Sequence, residues 1–292
     1  MSIATSTASQ TRRYSAGMPQ LNANGLSENW LLKECGDRHW LGIAQANGQA
    51  QPEFRDAQGH KVYAAFTLVR ITAGRLEQIG ENDAFTLTSQ CLPVGRAQHY
   101  SRHVLQAHGE VAAQVEMLSA FVRRTQPGSN RSVVRAAMAE SSAPAPDPAL
   151  STAAEAFVRR GRALRAMEPT LANEAAYTLD FTPCPNNDFN GADLLYFSAF
   201  QSMVDRAEWA WMLHTQPPGR PTALRERELV FYGNVDLGDT VRIQLQPQAA
   251  DQGGLYHGSV LQRQSDGVCI ARVFTRKLAP VYADEVKGRI CI

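Results

Sequence analysis

Three segments near the end of the chain alternate apolar and polar residues: "TVRIQLQPQ" at 240–248, "LYHGSVLQR" at 255–263 and "VCIARVFTRK" at 268–277. A period of two puts the apolar side chains on one face, which predicts half-buried antiparallel strands. Their spacing suits hairpins rather than crossovers. The segment "LLYFSAFQSMVDRAEWAWML" at 194–213 behaves differently. It is long enough for a helix and apolar on most sides, which predicts a buried helix.

The same order occurs earlier in the chain. Asn24-Gly25, Leu31-Leu32 and Asp37-Arg38-His39-Trp40 precede "EQIGENDAFTLTSQ" at 77–90 and a closing strand, "VEMLSAFVRR", at 115–124. Their counterparts are Asn190-Gly191, Leu194-Leu195, Asp205 through Trp209, "GNVDLGDTVRIQLQ" at 233–246 and "VCIARVFTRK". Three motif pairs in register predict an internal duplication. Between the copies, "SSAPAPDP" lacks the residues for a core and reads as a linker, and "EAFVRRGRALRAM" reads either as a basic amphipathic helix packed across the surface or, in preference, as a solvated helix face. The expected organisation is a flexible tail over 1–16, a first unit over 17–127, linker and surface helix over 128–172, and a second unit over 173–292. A helix wrapped by an antiparallel sheet, twice, is an α+β double hot-dog.

Composition narrows the function classes. The 292 residues are 44% hydrophobic and 20% charged, with a formal net charge of +1. That balance carries no electrostatic footprint for nucleic acid, and no apolar run is long enough for a membrane span. The five cysteines are scattered, fit neither a disulfide framework nor a CxxC site, and suit a reducing cytoplasm. His99 and His103 lie four apart in a strand-like context with no third ligand, so no metal site is expected.

Candidate chemistry gathers at "CPNNDFNGADLL", 184–195. The first N–H groups of a helix lack intrahelical partners and can hold an oxygen that gains negative charge. Asn187 and Asn190 add neutral donors, Gly191 allows close approach to the backbone, and Asp188 can cap the helix or hold an amide. Such a mouth suits a thioester carbonyl becoming an enolate or a tetrahedral oxyanion. An Asx-rich cap without ligand is the competing reading. His39 is either a donor to a carboxylate or carbonyl, or a core histidine satisfied by backbone. Asp37–Arg38 and Asp205–Arg206 suit structural ion pairs, with Asp205 kept as a site candidate. Tyr63 lies in a strand, "KVYAAFTLVRI", where tyrosines usually pack.

"NWLLKECGDRHW", "VYAAFTLVRI" and "DFNGADLLYFSAFQSMVDRAEW", in this order, resemble the bifunctional acyltransferase/decarboxylase of the leinamycin polyketide pathway and its relatives. The resemblance spans about Gly17 to Lys277, without the central linker. It implies a double hot-dog that decarboxylates a methylmalonyl thioester of coenzyme A. The propionyl group then passes through an acyl-tyrosine, at Tyr63 by its place in the motif, to an acyl carrier protein. It implies no cofactor beyond the coenzyme A thioester that is the substrate. The donors of Asn187 and Asn190 would stabilise the enolate, with Asp188, Gly191, Asp205 and His39 in the site. Two other readings compete: a hot-dog thioesterase or dehydratase using Asp188 or His39, and an acyl-binding scaffold without catalysis.

Overall fold

The computed structural model describes residues 9–95, 97–138, 147–167, 175–215, 222–248 and 254–278. The first half contains β1 (Gln10–Ser15), α1 (Glu28–Ala46), β2 (Lys61–Thr72), β3 (Ala84–Val94), β4 (Gln98–Ala107) and β5 (Glu110–Arg124). A short strand β6 (Val133–Arg135) and α2 (Pro148–Ala166) follow. The second half contains β7 (Tyr177–Phe181), α3 (Phe197–Thr215), β8 (Ala223–Phe231), β9 (Val241–Gln248), β10 (Leu255–Arg263) and β11 (Cys269–Leu278).

One antiparallel sheet runs through both halves in the order β1-β3-β4-β5-β2-β8-β11-β10-β9-β7. Read outward from the β2/β8 seam, the two halves have the same strand order. At the seam Val69 pairs with Leu229 and Leu68 with Val230. Directly paired residues share a face, so Val69 and Leu229 point inward and Leu68 and Val230 outward. The inward pair joins one core with Leu31 and Leu32 of α1 and Phe200, Met203 and Val204 of α3. Each fully buried aliphatic or aromatic side chain there contributes about 1.5–3 kcal/mol. Two central helices inside one curved sheet make the double hot-dog expected from the apolar patterning.

Several sequence expectations need correction. Gln10–Ser15, placed in a flexible tail, is an edge strand paired with β3 through Gln10↔Ser89 to Ser15↔Ala84. Residues 130–135, assigned to the linker, form a 3-10 turn and strand β6, which pairs with the end of β5. Part of "SSAPAPDP" lies outside the described residues, but Asp147 and Pro148 begin α2, with the Asp147 carboxylate accepting Ala149 N–H at 2.8 Å. Helix α2 also does more than present a solvated face. Leu150, Ala154, Phe157 and Val158 are buried against Leu68 and Val230, so α2 covers the seam from outside. Among the described residues no helix is long and apolar enough to cross a membrane.

Candidate functional site

Strands β2 and β8 pair only from Leu68–Ile71 against Arg227–Val230. Toward the start of β2 they part. There the next neighbour on that edge of β2 is the short strand Phe54–Arg55, paired with Val62 and Lys61. A cavity of about 720 Å³ opens in this fork. Arg165 of α2 staples the fork, donating to the carbonyls of Thr67, at 3.2 Å, and Phe231. Its guanidinium carbon lies 5.1 Å from the Tyr232 ring centre.

The deep end of the cavity is aromatic. Phe66, Phe197 and Phe200 are buried there, with the Phe66 and Phe197 ring centres 4.4 Å apart. Phe197 packs onto α1 at Gly36, where an added Cβ would come within 2.8 Å of the ring. The rim carries exposed Val134, Tyr232 and Val268, together with exposed Lys61 and Arg135.

One wall is a strap, residues 130–135, that runs from the first half onto the second. Buried Asn130 donates from Nδ2 to the carbonyls of Asp193 at 2.6 Å and Val235 at 2.7 Å. Its own carbonyl oxygen accepts Arg124 Nε at 2.8 Å. Arg131 pairs with Asp239 at 2.5 Å and Asp236 at 3.2 Å.

Of the residues expected in the site, Tyr63, Asn190 and Gly191 line this cavity. Tyr63 stands in a cross-strand row with Val122 and Arg135. Lys61 Nζ is 5.3 Å from its ring centre. Among the described residues none hydrogen bonds the Tyr63 hydroxyl. The Asn190 carbonyl oxygen accepts Ala192 N–H at 2.9 Å and Leu194 N–H at 3.2 Å, fixing a tight turn. Its NH₂ has no partner among the described residues. An added Cβ on Gly191 would meet nothing within 4 Å, so this backbone faces open space. The matching Gly25 of the first half is walled in, with the Leu76 carbonyl 2.4 Å from such a Cβ. Of the two Asn-Gly motifs, one therefore borders an open site and the other a filled one.

The remaining candidates sit elsewhere. Asn187 is exposed and forms, with Pro185, Asn186 and Asp188, one helical turn. The Asp188 carboxylate accepts Cys184 N–H at 2.7 Å. Neither lines the cavity, and the long helix begins only at Phe197. The polar cluster therefore caps its own turn rather than the buried helix. His39 is fully buried, with its ring nitrogens 2.7 Å from Ser101 Oγ and Ser119 Oγ, and burial holds its pKa well below the ordinary value. Its partners are side chains, not backbone; it does not itself line the cavity, although its ring centre lies 4.9 Å from that of Phe66, which does.

Asp205 joins a buried ionic cluster. It pairs with Arg227 at 2.7 Å and Lys277 at 2.9 Å. Arg227 also holds Glu28 at 2.9 Å, and Lys277 holds Glu208 at 2.7 Å. These two cations keep the Asp205 carboxyl, itself only half-buried, well below the usual range. Arg206 is not its partner and lies instead over the Phe181 ring at 5.6 Å, whereas Arg38 does pair with Asp37 at 2.6 Å.

Sequence reading missed Lys61, Trp40, Tyr196, Tyr232, Arg165 and the strap, because they reach the cavity from six different places in the chain. Tyr196 is a second phenol there, and burial pushes its pKa up to about 12. Lys61, two residues from Tyr63, and Tyr196 and Trp40, inside the quoted motifs, carried a local signal; Tyr232, Arg165 and the strap did not.

No protein-family model matches the chain, and no curated protein sequence is similar to it. Solved structures are. The 12:0-ACP thioesterase from Umbellularia californica superposes with a TM-score of 0.63 at 11% identity, covering 92% of this chain and 93% of that one. An acyl-ACP thioesterase from Bacteroides thetaiotaomicron superposes with a TM-score of 0.57 at 10% identity, covering 92% and 97%. At such identities the likeness concerns the fold: nearly the whole chain follows the path of these proteins, and that path is the double hot-dog.

Proposed function

We propose that the fork cavity binds an acyl thioester of coenzyme A or of a carrier protein, and that the chemistry is decarboxylation followed by acyl transfer through Tyr63. One observation carries this reading. Among the described residues, the lining holds phenols, amides and cations but no aspartate, glutamate, histidine, cysteine or serine. Hydrolysis by general base needs a proton acceptor within reach of a water. Loss of carbon dioxide from a malonyl-type thioester needs none.

In the proposed sequence the bond between the α-carbon and the carboxylate breaks. Carbon dioxide leaves, and the electron pair becomes the enolate of the thioester. The unpartnered NH₂ of Asn190 supports the enolate oxygen. Next, the α-carbon takes the phenolic proton of Tyr63, giving the propionyl thioester and a phenolate. A phenol of ordinary pKa, about 10, is ionised about one part in a thousand at pH 7, so a base that appears only after decarboxylation solves the activation problem. The phenolate attacks the carbonyl and the coenzyme A thiolate leaves. A carrier thiolate then takes the acyl group, and the departing phenolate recovers a proton from water.

A second reading, an acyl-thioester hydrolase, is favoured by the named activity of the two proteins that share the fold. A panel of methylmalonyl-, malonyl- and propionyl-coenzyme A, with and without carrier protein, separates the two. Carbon dioxide from methylmalonyl-coenzyme A with propionyl appearing on the carrier supports the transferase. Free acid from propionyl-coenzyme A supports the hydrolase, and no turnover of any substrate contradicts both.

A further inference from the structure

The fork leaves one stretch of strand edge bare. Residues 63–67 of β2 pair with β5 on one side, through Tyr63↔Val122 to Phe66↔Ser119. On the other side they lie between the Phe54–Arg55 strand, which ends its pairing at Val62, and β8, which begins at Leu68. All five residues line the cavity.

The direction of their backbone groups follows from β5. Phe121 sends its N–H to the Ala97 carbonyl, and its carbonyl accepts Ala136 N–H at 2.9 Å, so both its groups point away from β2. Groups alternate along an antiparallel strand. Ala120 and Val122 therefore face β2, and their partners Ala65 and Tyr63 face back. Ala64 and Phe66 must point into the fork. The Trp40 indole confirms the direction for Ala64, donating to its carbonyl at 2.9 Å. Among the described residues the N–H of Ala64 and the N–H and C=O of Phe66 have no strand partner; the register shift of β2 against β5 falls just beyond them, between Phe66 and Leu68.

We infer that this bare edge is a rail for an extended, amide-bearing arm, the pantetheine-type chain of the thioester, which pairs with Ala64 and Phe66 as an added strand would. The inference rests on the acyl-thioester reading above. Strand addition uses an unpaired edge for main-chain hydrogen bonds and side pockets for specificity. Five residues of edge run about 17 Å, which accommodates a chain with two amides. The ends are suited to what such a chain carries. Buried Phe66, Phe197 and Phe200 would receive the acyl group, and exposed Lys61 and Arg135 stand where a phosphate would leave the cavity. A buried backbone group without a partner costs free energy, and an amide arm satisfies this edge where a purely hydrocarbon chain cannot.

The test uses a non-reactive thioether analogue of propionyl-coenzyme A and the same molecule with both pantetheine amides N-methylated. Binding is read by calorimetry, and backbone amide hydrogen exchange is followed at Ala64 and Phe66. The expected result is at least a tenfold loss of affinity on methylation, with exchange at both amides slowed by the unmethylated ligand. Equal affinity of the two analogues, or unchanged exchange, overturns the rail while leaving the acyl-thioester reading standing. Absence of binding by the unmethylated analogue overturns both. A parallel arm with the phosphopantetheine thioether, free and attached to a carrier protein, distinguishes the source of the arm. Tighter binding of the coenzyme A form assigns it to coenzyme A, and tighter binding of the carrier form to the carrier.

Discussion

His39 and Glu208 occupy the same place in the two halves. Each is the twelfth residue of a nineteen-residue central helix. His39 bonds Ser101 of β4 and Ser119 of β5. Glu208 bonds His257 of β10, at 2.9 Å, and Lys277 of β11. The strands match as well, since β4 and β5 stand to the first half as β10 and β11 stand to the second. One polar position on the inner helix thus ties helix to sheet in both halves, through neutral partners in the first and ionic ones in the second.

The neutral version predicts acid sensitivity. Burial holds His39 well below the ordinary histidine pKa, His103 down to about 3 and His99 down to about 4. Such groups bind protons more weakly folded than unfolded. Their contribution is complete above pH 6.5 and is lost as pH falls toward the folded values. Each costs at most about 1.4 kcal/mol per pH unit. Glu28, raised by burial, acts in the opposite sense between its ordinary value and neutrality, but one carboxyl opposes three imidazoles. The thermal midpoint should fall from pH 7.5 to pH 5, and His103→Gln should flatten that slope. A midpoint that holds or rises over this range contradicts the neutral cluster.

The ionic version predicts a large stability loss from one substitution. Arg227 is fully buried and holds Glu28 of one half and Asp205 of the other. Arg227→Met leaves Glu28 without its cation and Asp205 with Lys277 alone. Breaking a buried pair from one side costs about 3–5 kcal/mol. Denaturant unfolding should show that loss, with Arg159→Met on the exposed Glu155 pair costing less. Equal losses would mean that the cluster contributes no more than a surface pair.

The duplication was legible because its signals are local: alternation in the strands, the apolar run at 194–213 and the repeated Asn-Gly motifs. Of the candidate residues, Tyr63, Asn190 and Gly191 line the cavity, each within a short segment whose pattern singled it out. His39 and Asp205 lie off the cavity lining, and a polar residue on an apolar helix looks the same in sequence whether it faces a cavity or ties helix to sheet. Asn187 and Asp188 misled because the chain makes a separate turn before Phe197, which Pro185 starts. Asn130 and Arg165 carry no sequence signal at all: their roles exist only once β2 and β8 part and the strap crosses between halves.

The turn at Asn190 gives a graded prediction. Asn190→Ala removes the acceptor for Ala192 and Leu194 and the donor at the enolate. Decarboxylation should drop roughly 100-fold, as for loss of one oxyanion donor, with a stability loss of about 1 kcal/mol. Asn190→Asp keeps the turn's acceptor but places negative charge at the developing enolate, so activity should fall further while stability recovers. Asn187→Ala, outside the cavity, should match wild type in turnover assays. If Asn187→Ala is as damaging as Asn190→Ala, the fork is not where the chemistry occurs.

The central claim, that Tyr63 carries the acyl group, is tested most directly by intact mass. Wild type and Tyr63→Phe are mixed with methylmalonyl-coenzyme A without carrier protein, denatured and weighed, and the wild-type adduct is mapped to a peptide. The account predicts a propionyl adduct on wild type, located at Tyr63. Tyr63→Phe should carry none, while Tyr196→Phe and Tyr232→Phe keep it. An adduct that persists in Tyr63→Phe, or maps to another tyrosine or to a cysteine, contradicts it.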